Sequence, residues 1–73
     1  MPRTAAQNEE IRQARTQQIL EAARQVFAER GFHGTRMSDI AQAIGVSQGT
    51  MYHYFRSKDE LFLAVLNVWN EQI

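Results

Sequence analysis

The sequence predicts an all-α domain, on the strength of three observations. Apolar residues recur at spacings of three and four in successive segments, which places them on one face of a helix. Glycine and serine stand where these segments end or begin, as helix caps commonly do. The composition, 44% hydrophobic and 22% charged, is that of a soluble globular chain.

The chain length limits what the domain can contain. Seventy-three residues make one small domain, and at this size about 60% of the unfolded surface is buried, which leaves little room for an enclosed active site. The longest apolar run is Leu61–Leu66, far short of the ~20 residues that cross a bilayer. The amino terminus does not resemble a signal sequence. We therefore expect no membrane association and a cytoplasmic location.

Charge is balanced overall but uneven along the chain. Eight basic residues offset eight acidic ones, so net charge gives no support to nucleic-acid binding. Between Ile40 and Lys58, however, there is no Asp or Glu, while Arg56 and Lys58 are present and Arg36 lies just upstream. This stretch is locally cationic. The lack of cysteine excludes disulfides and thiolate metal sites.

The first predicted helix runs from about Asn8 to Arg30. Asn8 can cap its start, and Thr16 is a later alternative. Gly31 suits its carboxyl end. Residues 1–7 are expected to form a flexible arm that carries Arg3. The apolar stripe of this first helix consists of Ile19, Ala22, Ala23, Val26 and Phe27.

A second, shorter helix and a tight turn follow. The second stripe begins at Met37 and stops at Gly45, little more than two turns later; its members are Met37, Ile40, Ala41 and Ile44. Gly45 can adopt positive φ, Val46 is an apolar plug and Ser47 is a good N-cap. The pattern predicts two helices joined by a tight turn.

The third helix, residues 48–55, carries the candidate site. Met51 and Phe55 share an inward face at 100° per residue. The other face, Gly49, Thr50, Tyr52 and His53, is small, polar or aromatic and carries no acid that would repel phosphate. Eight residues span roughly 12 Å, comparable with the major groove of B-DNA. Gln48 is placed to reach base edges. The hydroxyls of Tyr52 and Tyr54 and the ammonium of Lys58 suit phosphates.

Ser57, with Glu60 three residues later, predicts a capping box that opens a fourth helix. Its apolar residues cover too much of the circumference for one buried face; they are Leu61, Phe62, Val65, Leu66, Val68, Trp69 and Ile73. The alternative is an amphipathic surface helix with some exposed apolar residues. We expect residues 57–73 to be a linking helix that is cut before a further domain, leaving an exposed patch around Trp69.

The ordered set of motifs resembles the amino-terminal domain of the TetR family. The resemblance covers residues 16–66 and rests on Ile19-Leu20, Ala22-Ala23, Phe27, Gly31-Phe32, Gly34-Thr35, Ile40-Ala41, Ile44-Gly45-Val46-Ser47, Gly49-Thr50-Met51-Tyr52, Tyr54-Phe55, Ser57-Lys58 and Glu60-Leu61. It implies a three-helix, homeodomain-like helix-turn-helix bundle over residues 8–56 plus the start of a fourth helix. It also implies a dimeric repressor of a palindromic operator in double-stranded DNA. A small-molecule effector bound in the missing carboxy-terminal domain would release it, and the 73-residue fragment itself is expected to be monomeric.

The resemblance assigns roles by position. Bases or groove edges are expected to face Gln48, Gly49, Thr50, Tyr52 and His53, and phosphates to meet Arg36, Ser38, Tyr54 and Lys58; Ser47 completes the DNA-binding set. The sequence departs from the family at Arg36, where a capping Thr is common. Thr35, Ser38 or Asp39 is then expected to cap helix 2.

Other interpretations of the same residues remain. Tyr52, Tyr54 and Phe55 could all be core aromatics. His53 could be an ordinary surface histidine, and it has no second ligand at i+3 or i+4 for a metal. Arg3, Arg12 and Arg15 are either solvated or in contact with the DNA backbone.

Rival functions are a protein-interaction module that uses the apolar face of helix 4 and, more distantly, a small enzyme. The sequence offers no nucleophile beside a base and no phosphate-binding glycine loop. We therefore expect no catalytic residue and no cofactor.

Overall fold

The computed structural model describes the backbone of residues 5–72 and the side chains of residues 8–68. Within this part of the chain there are four helices and no strand: α1 (Ala5–Arg30), α2 (Met37–Ile44), α3 (Gln48–Tyr54) and α4 (Lys58–Gln72). The predicted all-α fold is confirmed. None of the described helices is both long enough and apolar enough to cross a membrane.

Helix α1 is longer than the sequence indicated. It begins at Ala5, three residues before Asn8, so neither Asn8 nor Thr16 is its cap. Thr16 lies inside the helix, where its hydroxyl donates to the Arg12 carbonyl at 2.8 Å. Gly31, at φ 77°, ends the helix as expected, and its N–H donates to the Phe27 carbonyl at 2.7 Å. Arg3, in the expected arm, lies outside the described residues.

The core lies where one face of each helix converges. Its buried apolar members are Ile19, Ala23, Phe27, Met37, Ile40, Ala41, Met51, Phe55, Leu61 and Val65. Helix α1 contributes residues spaced by four, which is the helical repeat that the sequence showed. The residues from Asn8 to Ala14 are exposed, so the first half of α1 extends beyond this core.

The loop between α1 and α2 is tied to both helices. Thr35 is only 1% exposed, and its hydroxyl donates to the Gly31 carbonyl at 2.7 Å. The Asp39 carboxylate accepts the backbone N–H of Arg36 at 2.9 Å and pairs with the guanidinium of Arg30 at 3.2 Å. Arg36 occupies the N-cap position, and Asp39, three residues later, is the alternative whose side chain bonds to that end of α2. The Thr35 hydroxyl binds the end of α1 instead.

The turn between α2 and α3 has the expected chemistry. Gly45 adopts the left-handed conformation, at φ 75° and ψ 32°. The N–H of Val46 then donates to the Ala41 carbonyl at 3.0 Å, and the Val46 side chain packs against the core. A residue with a Cβ would be strained at this φ, so glycine is what permits so short a connection.

Helix α4 opens with a modified capping box. The Ser57 hydroxyl accepts the N–H of Glu60 at 3.1 Å, as predicted. The Glu60 carboxylate reaches past Ser57 and accepts the N–H of Arg56 at 2.8 Å. Leu61 and Val65 are buried, whereas Leu63 is 60% and Val68 is 37% exposed. The side chains of Trp69 and Ile73, on which the expected patch depended, lie outside the described residues.

Candidate nucleic-acid interface

Helix α3 is short and capped at its start by Ser47. The Ser47 hydroxyl accepts the N–H of Thr50 at 3.1 Å and lies 3.0 Å from the Thr50 hydroxyl oxygen. The helix ends at Tyr54, one residue before the predicted end, because Phe55 has extended backbone angles of φ −136° and ψ 121°. The backbone N–H of Phe55 still donates to the Met51 carbonyl, at 2.9 Å.

The two faces of α3 divide as the helical repeat predicts. Met51 is fully buried and Phe55 is 8% exposed. Gln48, Gly49 and His53 are exposed. The core interpretation of the aromatic residues is therefore right for Phe55.

The three hydroxyl-bearing residues of α3, Thr50, Tyr52 and Tyr54, differ in burial. Tyr52 is 48% exposed, so the core interpretation is wrong for Tyr52. Tyr54 is half-buried and packs against the core, with the His53 ring edge-on at 5.9 Å between centroids. Thr50 is also half-buried. Since the Thr50 hydroxyl already contacts Ser47, Thr50 is less open to a ligand than the sequence suggested.

Gly49 lies on the exposed first turn of α3. A Cβ added there would meet only the Ser47 hydroxyl, at the ordinary contact distance of 3.8 Å. Its φ is not in the left-handed region, where Gly31 and Gly45 are the glycines found in the described backbone. The domain therefore has no internal need for a glycine at this position.

The expected phosphate contacts lie on three different elements. Arg36 is exposed in the loop immediately before α2, and Ser38 is half-buried in the first turn of α2. Arg15, on α1, donates to the Gln18 side chain at 3.0 Å, while Arg12 is exposed one turn earlier.

Lys58 has partners that sequence reasoning missed. Its ammonium donates to the Phe32 carbonyl at 2.7 Å and lies 4.2 Å from the centroid of the Phe32 ring. Lys58 is thus not a freely solvated side chain. The two residues are 26 positions apart, and no periodicity or motif spacing relates a loop aromatic to the first residue of a later helix.

The described residues hold no group of three or more His, Cys, Asp or Glu side chains arranged to bind a metal ion. They also leave no buried side-chain nitrogen or oxygen without a hydrogen-bond partner. What the structure presents is a short, capped helix with an exposed polar and aromatic face, joined by a tight turn to a second helix. That arrangement defines a helix-turn-helix domain.

Comparison with known proteins identifies the family. The model of "Bacterial regulatory proteins, tetR family" matches residues 19–65, which is more than half of the chain, and the chain belongs to this family. It is 48% identical over 52 residues to the HTH-type transcriptional repressor Rv1474c of Mycobacterium tuberculosis, covering 71% of this chain and 28% of the relative. It is 47% identical over 53 residues to the HTH-type transcriptional regulator RutR of Escherichia coli, covering 73% and 25%.

The HTH-type transcriptional regulator UidR of Escherichia coli is 46% identical over 48 residues, covering 66% of this chain and 24% of the relative. The chain thus spans about a quarter of the length of these relatives. No solved structure matches it. The family resemblance drawn from the sequence motifs is confirmed.

Proposed function

We propose that this chain binds double-stranded DNA sequence-specifically, as the operator-reading part of a transcriptional repressor. The observation that carries the proposal is the exposed face of α3, where Gln48, Gly49, Tyr52 and His53 point away from a core that holds Met51 and Phe55. No acidic residue occurs between Ile40 and Lys58 to repel phosphate. In a major groove, this face would meet base edges.

The proposed interface has two parts. Base edges are read by Gln48, Gly49, Thr50, Tyr52 and His53, and the DNA backbone is held by Arg36, Ser38, Ser47, Tyr54 and Lys58. Gln suits adenine, because its side-chain oxygen can accept from the N6 amino group while its side-chain nitrogen donates to N7. The backbone set fixes the register of α3 without reading sequence. The half-buried Tyr54 fits this role, because its ring packs while its hydroxyl can reach outward.

The finer parts of the proposal concern the whole regulator. The name of the mycobacterial relative includes "repressor", which favours repression. A dimer would present two copies of α3 about one DNA turn apart, roughly 34 Å, and so read a palindromic operator. We place effector binding in a further domain, locate the regulator in the bacterial cytoplasm and on the nucleoid, and assign this chain no catalytic step.

One observation favours a second function. Leu63, 60% exposed, and Val68, 37% exposed, leave apolar surface on α4, as a protein-interaction module would. Salt dependence separates the two functions, because phosphate contacts release counterions and affinity must fall as salt rises.

The test is a titration of the chain against a duplex selected from a random pool and against a random duplex of equal length, from 50 to 200 mM salt. We expect a negative slope of log affinity against log salt, of roughly 0.9 for each phosphate contacted. The selected duplex should bind more tightly than the random one. A flat slope would refute DNA binding and leave the interaction module.

A further inference from the structure

The contact between Lys58 and Phe32 joins the first turn of α4 to the loop between α1 and α2. The Lys58 ammonium meets Phe32 in two ways at once, donating to its carbonyl at 2.7 Å and lying 4.2 Å from its ring centroid. Both interactions favour a cation and hold it in one place.

Phe32 is itself held from several sides. Its ring lies 6.0 Å from that of Phe27 and 5.1 Å from that of Phe62, centroid to centroid. Its carbonyl also accepts the N–H of Thr35 at 3.3 Å, and Thr35 is buried against the end of α1. The atoms that Lys58 contacts therefore belong to a fixed part of the fold.

From this geometry we propose that Phe32 is a positioning residue for DNA binding, acting through Lys58. The inference rests on the proposed function, in which Lys58 contacts phosphate. An ammonium has three donors, so the bond to Phe32 leaves others for a phosphate oxygen. A lysine free in solvent must give up rotamer freedom on binding, whereas Lys58 is already ordered. Phe32 thereby increases the affinity for DNA without touching it.

The experiment removes the ring and leaves the carbonyl. Phe32→Leu retains apolar volume and the backbone acceptor but abolishes the cation–π contact. Phe62→Leu is the matched control, because it removes a ring from the same aromatic cluster. The Lys58 ammonium lies over the ring of Phe32 and not over that of Phe62, so this control leaves the cation–π contact in place. Each variant of the 73-residue chain is titrated with the selected duplex, alone and combined with Lys58→Met, below its thermal midpoint.

Both ring losses should lower the thermal midpoint of the free chain. Only Phe32→Leu should also weaken DNA binding of the folded protein, by about two- to tenfold. That loss should disappear when Lys58 is already Met, because the two residues act through one contact. Phe32→Tyr, which keeps the ring, should bind as the original chain does.

Additive losses in the Phe32→Leu, Lys58→Met pair would overturn the inference, as would equal weakening by Phe62→Leu. The proposed function is judged separately, by the salt slope of the unchanged chain. A normal negative slope combined with additive losses refutes the positioning role alone, whereas a flat slope refutes DNA binding itself.

Discussion

The substitution Gly49→Ala should have opposite effects on the stability of the free domain and on its affinity for DNA. Within the domain the new methyl group meets only the Ser47 hydroxyl, at 3.8 Å, and the backbone is not in the left-handed region. Alanine should then favour the helix by up to about 1 kcal/mol over glycine. In a domain of this size, that corresponds to a rise of about 4–8 °C in the thermal midpoint.

DNA binding should respond in the opposite direction. If the first turn of α3 approaches the duplex closely, the methyl group must be accommodated at a packed interface, and overpacking costs roughly 1–3 kcal/mol. Even the lower end of that range weakens binding about fivefold. The expected signature is a more stable protein that binds the selected duplex less tightly.

Thermal denaturation and duplex titration of the same preparation measure the two effects. Asn67→Ala is the control, since it also replaces a weaker helix former at an exposed position but lies on α4. It should raise the thermal midpoint and leave DNA binding unchanged. If Gly49→Ala bound DNA as tightly as the original chain, no DNA atom could lie close to Gly49, and the proposed docking of α3 would be wrong.

Three further substitutions test other parts of the structure. Gly34→Ala should destabilise the domain by roughly 1–3 kcal/mol, because its Cβ would overlap the Arg30 carbonyl oxygen; an unchanged thermal midpoint would contradict this. Gln48→Ala or His53→Ala should alter the sequence recovered by selection from a random pool, and a uniform loss of affinity across all sequences would place these residues on the backbone instead. Ser57→Ala should cost about 1 kcal/mol of stability by removing the cap of α4, which denaturant titration would show as a lower midpoint.

The parts of the fold that depend on local rules were predictable from the sequence. Helical spacing correctly placed Met51 and Phe55 inside, and the Gly45 turn and the Ser57 cap follow from backbone conformation and side-chain chemistry. The start of α1 was not predictable, because Asn8 and Thr16 could each have capped a helix, and α1 begins before both of them. Asp39 could be named only as one of three possible caps, since the sequence does not show that the Thr35 hydroxyl binds the end of α1 instead.

The sequence predicted which residues of the candidate site face outward, but not which of their side chains have hydrogen-bond partners within the domain. The sequence places Thr50 and Lys58 among the outward polar groups, yet both have internal partners. The Ser47 contact of Thr50 is local and consistent with N-cap chemistry. The Phe32 contact of Lys58 joins residues 26 positions apart, and a single sequence contains no signal for such a pairing.

These internal contacts matter because α3 cannot hold its own position. A helix of seven residues is unstable in isolation, since nucleation costs more than so few hydrogen bonds return. Its orientation depends on the burial of Met51 and Phe55, on the Ser47 cap and on the helices to either side. Residues that never touch DNA therefore control where Gln48, Tyr52 and His53 are presented. DNA affinity should accordingly be sensitive to substitutions in the loop between α1 and α2, even though that loop contributes only Arg36 to the proposed interface.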